Sequence, residues 1–130
     1  MAYKLEREKT NTTPYVLIDE EKNYMKLEGK SYLEDIVEFF QPINDWVDRY
    51  FSSGSAELTF DCAMKYINSS TTKMIYNLIR TMDKAAGKGA KVVVNWIANN
   101  DMILECGEDF EEEMEHLTFN LVDESYTGGN

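Results

Sequence analysis

One histidine, two cysteines, two prolines and seven glycines are all that 130 residues hold of the types that usually advertise catalysis, metal binding or sharp turns. A nucleophile relayed through histidine has a single candidate, His116. Cys62 and Cys106 stand alone, with neither CxxC spacing nor a histidine nearby in sequence, which argues against a zinc site and reads as two plain buried thiols. The glycines form neither a phosphate-binding loop nor a dinucleotide fingerprint, because Gly87 and Gly89 precede a strand instead of opening a helix. Basic residues are also short: 13 against 24 acidic, a net charge of -11, which repels a phosphate backbone and argues against nucleic acid as a partner. No run approaches the roughly 20 apolar residues that cross a bilayer, and the charged start MAYKLEREKT lacks a signal-peptide core, so the expectation is a cytosolic protein without a membrane partner. The length suits one domain with a real core.

What is present is organised around Glu57 to Arg80. Leu58, Phe60, Cys62, Met64 and Tyr66 alternate, the period of a strand with one face in a core. From Met74 the period changes, and Ile75, Leu78, Ile79 and Met82 follow at the three and four spacing of a helical face. Between them lie Asn68, Ser69, Ser70, Thr71 and Thr72, all able to accept from the free N–H groups that open a helix. The predicted geometry puts hydroxyls at the end of a strand, on the rim of the domain, at the positive end of a helix dipole.

Residues 1–14 read as a flexible lead-in with room for a short edge strand around Tyr3 to Glu6. The domain proper is expected over 15–123. Tyr15 to Ile18 and Tyr24 to Leu27 form a hairpin across the charged turn Asp19 to Asn23, closed by Gly29. Ser31 and Glu34 have the spacing of a capping box for a helix over 33–52, with Leu33, Ile36, Val37, Phe40, Ile43, Val47, Tyr50 and Phe51 on its apolar positions. Pro42 should kink or divide that helix, and Gly54 end it. Lys91 to Ile97, with three consecutive valines, reads as a strand covered on both faces and paired parallel to the central one. Asn99, Asn100 and Asp101 cap a third helix to about Glu113, with Met102, Ile103, Cys106 and Phe110 inward and Gly107 as its weak point. Thr118 to Val122 is a last strand, and 124–130 a disordered tail. The fold class is α/β, a mixed β-sheet with helices packed on it.

Two readings of this chemistry compete. His116 and the acidic run Glu105, Glu108, Asp109, Glu111, Glu112, Glu113 and Glu115 are the material a small enzyme or a cation site would use. The run lacks the spacing of a calcium loop, and such runs are usually solvated faces. A phosphoaspartate receiver is disfavoured because Asp61 falls in mid-strand and Asp19 in a turn. The hydroxyl turn serves at minimum as a helix cap, yet five polar residues exceed what a cap needs. A phosphate on Ser69 or Ser70 would meet free N–H groups and bring nearly two negative charges to an exposed rim.

The residues also resemble a known family, the SiaC-like regulatory phosphoproteins, which are STAS-like, related in fold to the STAS domains of anti-sigma factor antagonists. The matching pieces are Gly29, Lys30, Ser31 and Tyr32 leading into Phe39, Phe40, Pro42, Asp45 and Trp46; then Tyr66, Ile67, Asn68, Ser69 and Ser70 with Lys73; then Val92 to Trp96; then Gly107, Glu108, Asp109 and Phe110. The resemblance implies a small bacterial cytosolic protein with no activity or cofactor of its own. In the family's Asn-Thr-Ser-Ser pattern the acceptor follows the Asn, which falls on Ser69 here, with Ser70 as second candidate. It implies a serine/threonine kinase, a PP2C-type phosphatase, and a diguanylate cyclase that the unphosphorylated form binds and activates, so controlling cyclic di-GMP and aggregation or biofilm formation. An anti-sigma factor antagonist type of switch acting on another regulator is the alternative within the same class. Asn68, Ser69, Ser70, Thr71, Lys73, Tyr76 and Asn77 are the expected docking residues.

Overall fold

Alternation and helical spacing along the chain resolve into ten elements in the computed structural model, which describes residues 2–124. They are β1 (Lys4–Arg7), β2 (Tyr15–Asp19), a one-turn 3-10 segment (Glu20–Lys22), β3 (Tyr24–Ser31), α1 (Val37–Ser52), β4 (Glu57–Ile67), α2 (Ser69–Gly87), β5 (Lys91–Ala98), α3 (Asp101–Glu113) and β6 (Thr118–Asp123). The six strands form one mixed sheet in sequence order. β1, β2 and β3 pair antiparallel, and β3, β4, β5 and β6 pair parallel. Three successive crossovers that step the same way along the sheet, each right-handed, place α1, α2 and α3 on one face.

Register shows what each face does. Met25, Phe60, Val94 and Phe119 stand side by side, as do Leu27, Cys62, Trp96 and Leu121, under the helices. One residue along, Lys26, Asp61, Asn95 and Asn120 line up on the other face. There Asp61 accepts from the Tyr24 hydroxyl at 2.6 Å and from Asn95 Nδ2 at 2.8 Å, and Asn120 Nδ2 donates to Asn95 Oδ1 at 2.9 Å. That face carries no helix, so the expectation of a doubly covered β5 is corrected. Val92, Val94, Trp96 and Ala98 are buried while Val93, Asn95 and Ile97 are only partly covered. Three consecutive valines fit a singly covered strand because the bare face is shielded by its own polar ladder.

Other departures have local causes. The edge strand allowed for around Tyr3 to Glu6 within the 1–14 lead-in forms as β1, held because Tyr3 and Leu5 pack on the core and the Arg7 guanidinium lies over the Phe39 ring at 5.5 Å. Of the expected tail, Glu124 donates its N–H to the Ala98 carbonyl at 2.7 Å; 125–130 lie outside the described residues. Gly29 lies within β3 at φ 122°, beside the register shift between Gly29 and Lys30, a backbone conformation that disfavours side chains. Helix α1 starts at Val37 rather than 33, and Ser31 is not its cap: the serine is buried at the end of β3, and Ile36 at the cap position makes no side-chain cap bond. Pro42 does not divide α1. It removes only the N–H that would meet the Glu38 carbonyl in the exposed first turn. In α3 the inward residues are Ile103, Gly107 and Phe110; Cys106 is partly buried, and Met102, expected inside, is 44% exposed.

Candidate functional site

Parallel strands aim their carboxyl ends, and the N-termini of the helices that follow, at one edge of the sheet. Here β3, β4 and β5 end at Ser31, Ile67 and Ala98, and α1, α2 and α3 start just beyond. Asparagines stitch that edge together. Asn68 is extended (φ -80°, ψ 174°), and its Oδ1 caps α2 by accepting from the Thr71 N–H at 2.9 Å. Its Nδ2 reaches across to the Leu33 carbonyl at 3.1 Å. Asn100 repeats the device on α3: Oδ1 accepts from the Ile103 N–H at 3.0 Å, and Nδ2 donates to the Lys65 carbonyl at 2.9 Å.

These bonds sort the five polar residues of the turn. Asn68 is the cap. Thr71 is fully buried and shares a 2.6 Å hydrogen bond with the Ser31 hydroxyl, and Thr72 Oγ1 donates to the Asn68 carbonyl at 2.9 Å. Ser69 and Ser70 are exposed in the first turn of a 19-residue helix that has no acidic residue there. Among the described residues, theirs are the hydroxyls of this turn that make no hydrogen bond. An oxyanion attached to either would meet unpaired N–H groups and a favourable dipole.

The remaining expected docking residues divide. Lys73 and Asn77 are exposed on α2. Tyr76 is a brace between helices: its ring lies against Phe110 with centroids 5.4 Å apart, its hydroxyl donates to Glu113, and Arg80 Nη1 donates to it at 3.0 Å. Missing from the expected set are Tyr32 and Tyr66, whose rings stack 4.6 Å apart beside the turn, and the exposed Val37 and Met102 at the starts of α1 and α3. Tyr66, Val37 and Met102 fell on apolar periods that read as core, and Tyr32 entered only through the family resemblance.

His116 lies elsewhere, past the end of α3. It is exposed, with Nε2 3.8 Å from a Glu115 carboxylate oxygen, and its N–H is tied to Asp83. Among the described residues no three of the His, Cys, Asp or Glu side chains are gathered as a metal site would need. Burial pushes the Cys62 thiol pKa up, and that of Cys106 up to about 11, so both stay protonated and weakly nucleophilic at neutral pH. A cleft of about 500 Å3 opens at the opposite end of the sheet, between the last turns of α1 and α2, lined by Val47, Phe51, Lys84 and Lys88 among others.

Comparison with known proteins bears on this edge. Residues 7–124 match the family described as "SiaC family regulatory phosphoprotein". A protein of Pseudomonas aeruginosa (strain UCBPP-PA14) is 28% identical over 106 residues, covering 80% of this chain and 84% of the relative. Among solved structures, SiaC of Pseudomonas aeruginosa superposes with a TM-score of 0.86 at 26% identity, over 93% of this chain and 98% of that one. SiaC in the crystal structure of the diguanylate cyclase SiaD in complex with its activator SiaC, from the same organism, gives 0.85 at 26% identity over 92% and 98%. The mixed sheet, the three helices and the family match over nearly the whole length agree, and the chain belongs to the SiaC family of regulatory phosphoproteins.

Proposed function

We propose that this protein is a phosphorylation-controlled partner switch whose unphosphorylated form binds and activates a diguanylate cyclase, and whose phosphorylation on Ser69 releases the cyclase. The observation that carries the reading is the sorting of the hydroxyl turn. Of its polar side chains, Ser69 and Ser70 alone are exposed and unengaged, at a helix N-terminus in a chain of the regulatory phosphoprotein family. Ser69 is the first choice because it follows the capping Asn68 as the acceptor does in the family's Asn-Thr-Ser-Ser pattern; Ser70 is the second. The SiaC relative seen with a diguanylate cyclase as its activator supplies the kind of partner.

The phosphate carries about -1.5 to -2 charges and a tightly held hydration shell. It needs no refolding to act, since the Thr71 N–H is already capped by Asn68 and the N–H groups of Ser69 and Ser70 are left for the phosphate. A serine/threonine kinase adds it and a PP2C-type phosphatase removes it. The protein acts by binding, without an activity of its own; the partners work in the cytoplasm, and no helix among the described residues is long and apolar enough to cross a membrane. Control of cyclic di-GMP, and through it aggregation or biofilm formation, is the output.

The test combines phosphopeptide mapping of the protein from its own host with cyclase turnover in the presence of purified variants. Ser69→Ala should lose the phosphate and keep full stimulation; Ser69→Glu should lose stimulation. Phosphate on Ser70 moves the acceptor by one residue. Undiminished stimulation by both Ser69→Glu and Ser70→Glu rejects the switch.

A further inference from the structure

Helical periodicity overshoots at two places in this chain, and both lie on the same edge. Val37 and Met102 continue the apolar spacing of α1 and α3, yet they are 55% and 44% exposed, in the first turns of those helices. Tyr32, just past the end of β3, is 46% exposed and stacked on Tyr66. Among the described residues the large exposed apolar side chains are these three and Val122, and Val122 stands apart on the helix-free face beside Ile97. The core has no use for those three, and large exposed apolar side chains gathered on one edge are a recurrent mark of a protein contact.

Their arrangement follows from topology. Helix α2 packs between its neighbours, touching α1 on one side and joined to α3 through Tyr76 and Glu113 on the other. With helix axes about 8–10 Å apart, Val37 and Tyr32 flank one side of Ser69 and Ser70, and Met102 flanks the other. Around them acidic side chains outnumber basic ones: Glu34, Asp35 and Glu38 by α1 and Asp101 and Glu105 on α3, against Lys30, Lys65 and Lys73, all exposed.

We propose that Tyr32, Val37 and Met102 are the apolar anchors of the docking surface, and that they receive a segment of the cyclase with an apolar centre and cationic margins. This rests on the partner-switch reading above and adds to it the residues that do the binding and the reason a phosphate prevents it. The serines lie between the anchors, so a phosphate there is enclosed by the apolar contact. Its charge must shed its outer water, which the few N–H groups at the start of α2 replace only in part, a cost that outweighs the anchors. The acidic margins steer a cationic partner and set its orientation.

Titration of purified cyclase against Val37→Ser, Met102→Gln and Tyr32→Ala, each checked for native fold by circular dichroism and denaturant unfolding, tests the assignment. Val122→Ser, on β6, is the control. Each anchor substitution should weaken the complex about tenfold or more, Val122→Ser should leave it unchanged, and raised ionic strength should weaken it. Wild-type affinity in Val37→Ser and Met102→Gln, with Ser69→Glu still abolishing binding, overturns the anchors and leaves the switch standing. Retention of binding by Ser69→Glu and Ser70→Glu strikes the switch itself. A self-associating wild type that Met102→Gln turns monomeric, with cyclase binding intact, assigns the patch to a second copy and overturns the proposal.

Discussion

The hydroxyls of Ser31 and Thr71, forty residues apart in sequence, share a fully buried 2.6 Å hydrogen bond that ties the last residue of β3 to the first turn of α2. Each side chain satisfies the other where water does not reach. Thr71→Val keeps the shape and strands the Ser31 hydroxyl, which should cost about 1–3 kcal/mol. Ser31→Ala with Thr71→Val removes both polar atoms and should recover part of that loss. Urea unfolding of the two single variants and the double closes the cycle. Equal, additive losses would mean that the two hydroxyls are not coupled.

The cap of α2 belongs to Asn68, which leaves Ser69 and Ser70 in the same turn without a capping role. Asn68→Ala removes both the bond to the Thr71 N–H and the reach to Leu33, and should cost about 1–2 kcal/mol. Ser69→Ala touches no hydrogen bond and should stay within about 0.5 kcal/mol of wild type. Denaturant midpoints decide it. A Ser69→Ala loss as large as that of Asn68→Ala would return the serine to being a cap.

Local pattern carried much of this fold, and its failures share a cause. Alternation from Leu58 to Tyr66 and the three and four spacing after Met74 placed β4 and α2 closely, because each period is written in consecutive residues. Ser31 misled because a buried serine paired with Thr71 and a capping serine look alike from the sequence; the difference lies forty residues away. Val93 misled because hydropathy does not say whether a second layer exists to cover it. For the site, Asn68 to Thr72 announced a helix start, but that Thr71 is buried and Ser70 is not depends on where β3 passes. Resemblance to the family singled out Ser69, since its hydroxyl is chemically indistinct from its neighbours until their partners are known.

Asp83 is buried on α2, where its carboxylate accepts from the backbone N–H groups of Glu115 at 3.2 Å, His116 at 2.8 Å and Leu117 at 2.9 Å. Burial acts to raise its pKa, but the N–H donors, aided by the charge of His116, outweigh it and hold the pKa below the usual value. A depressed carboxylate adds stability above its unfolded pKa, about 3.9, and loses it as pH falls through the lower folded value. Asp83→Asn should therefore cost about 1–3 kcal/mol near neutrality. The gap from wild type should narrow only below about pH 4. Thermal unfolding of both proteins across pH 3 to 7 measures it, and a gap independent of pH would remove the carboxylate's charge from the account.

Gly107 shows why a residue that weakens a helix on paper is needed in this one. It faces the sheet from α3, and a Cβ there would lie 2.4 Å from Trp96 Cδ1 and 2.6 Å from both Leu121 Cδ1 and Trp96 Nε1. The indole cannot yield easily, because Trp96 is fully buried, its Nε1–H donates to the Ile103 carbonyl at 2.8 Å, and Phe110 closes on its ring edge-on at 5.2 Å. Alanine gains about 1 kcal/mol of helix propensity over glycine. Overpacking against a rigid ring costs more, typically about 1–3 kcal/mol and at times above that. Gly107→Ala should thus be destabilised despite the better helix former, with the tryptophan emission altered as the indole shifts, whereas an exposed alanine substitution on the same helix, Glu108→Ala, should be near neutral. Guanidinium unfolding followed by tryptophan fluorescence tests both. A Gly107→Ala protein as stable as wild type would show that α3 can lift off the sheet without penalty, and with it that the Trp96 contact does not fix where α3, and Met102 at its start, stand relative to Ser69.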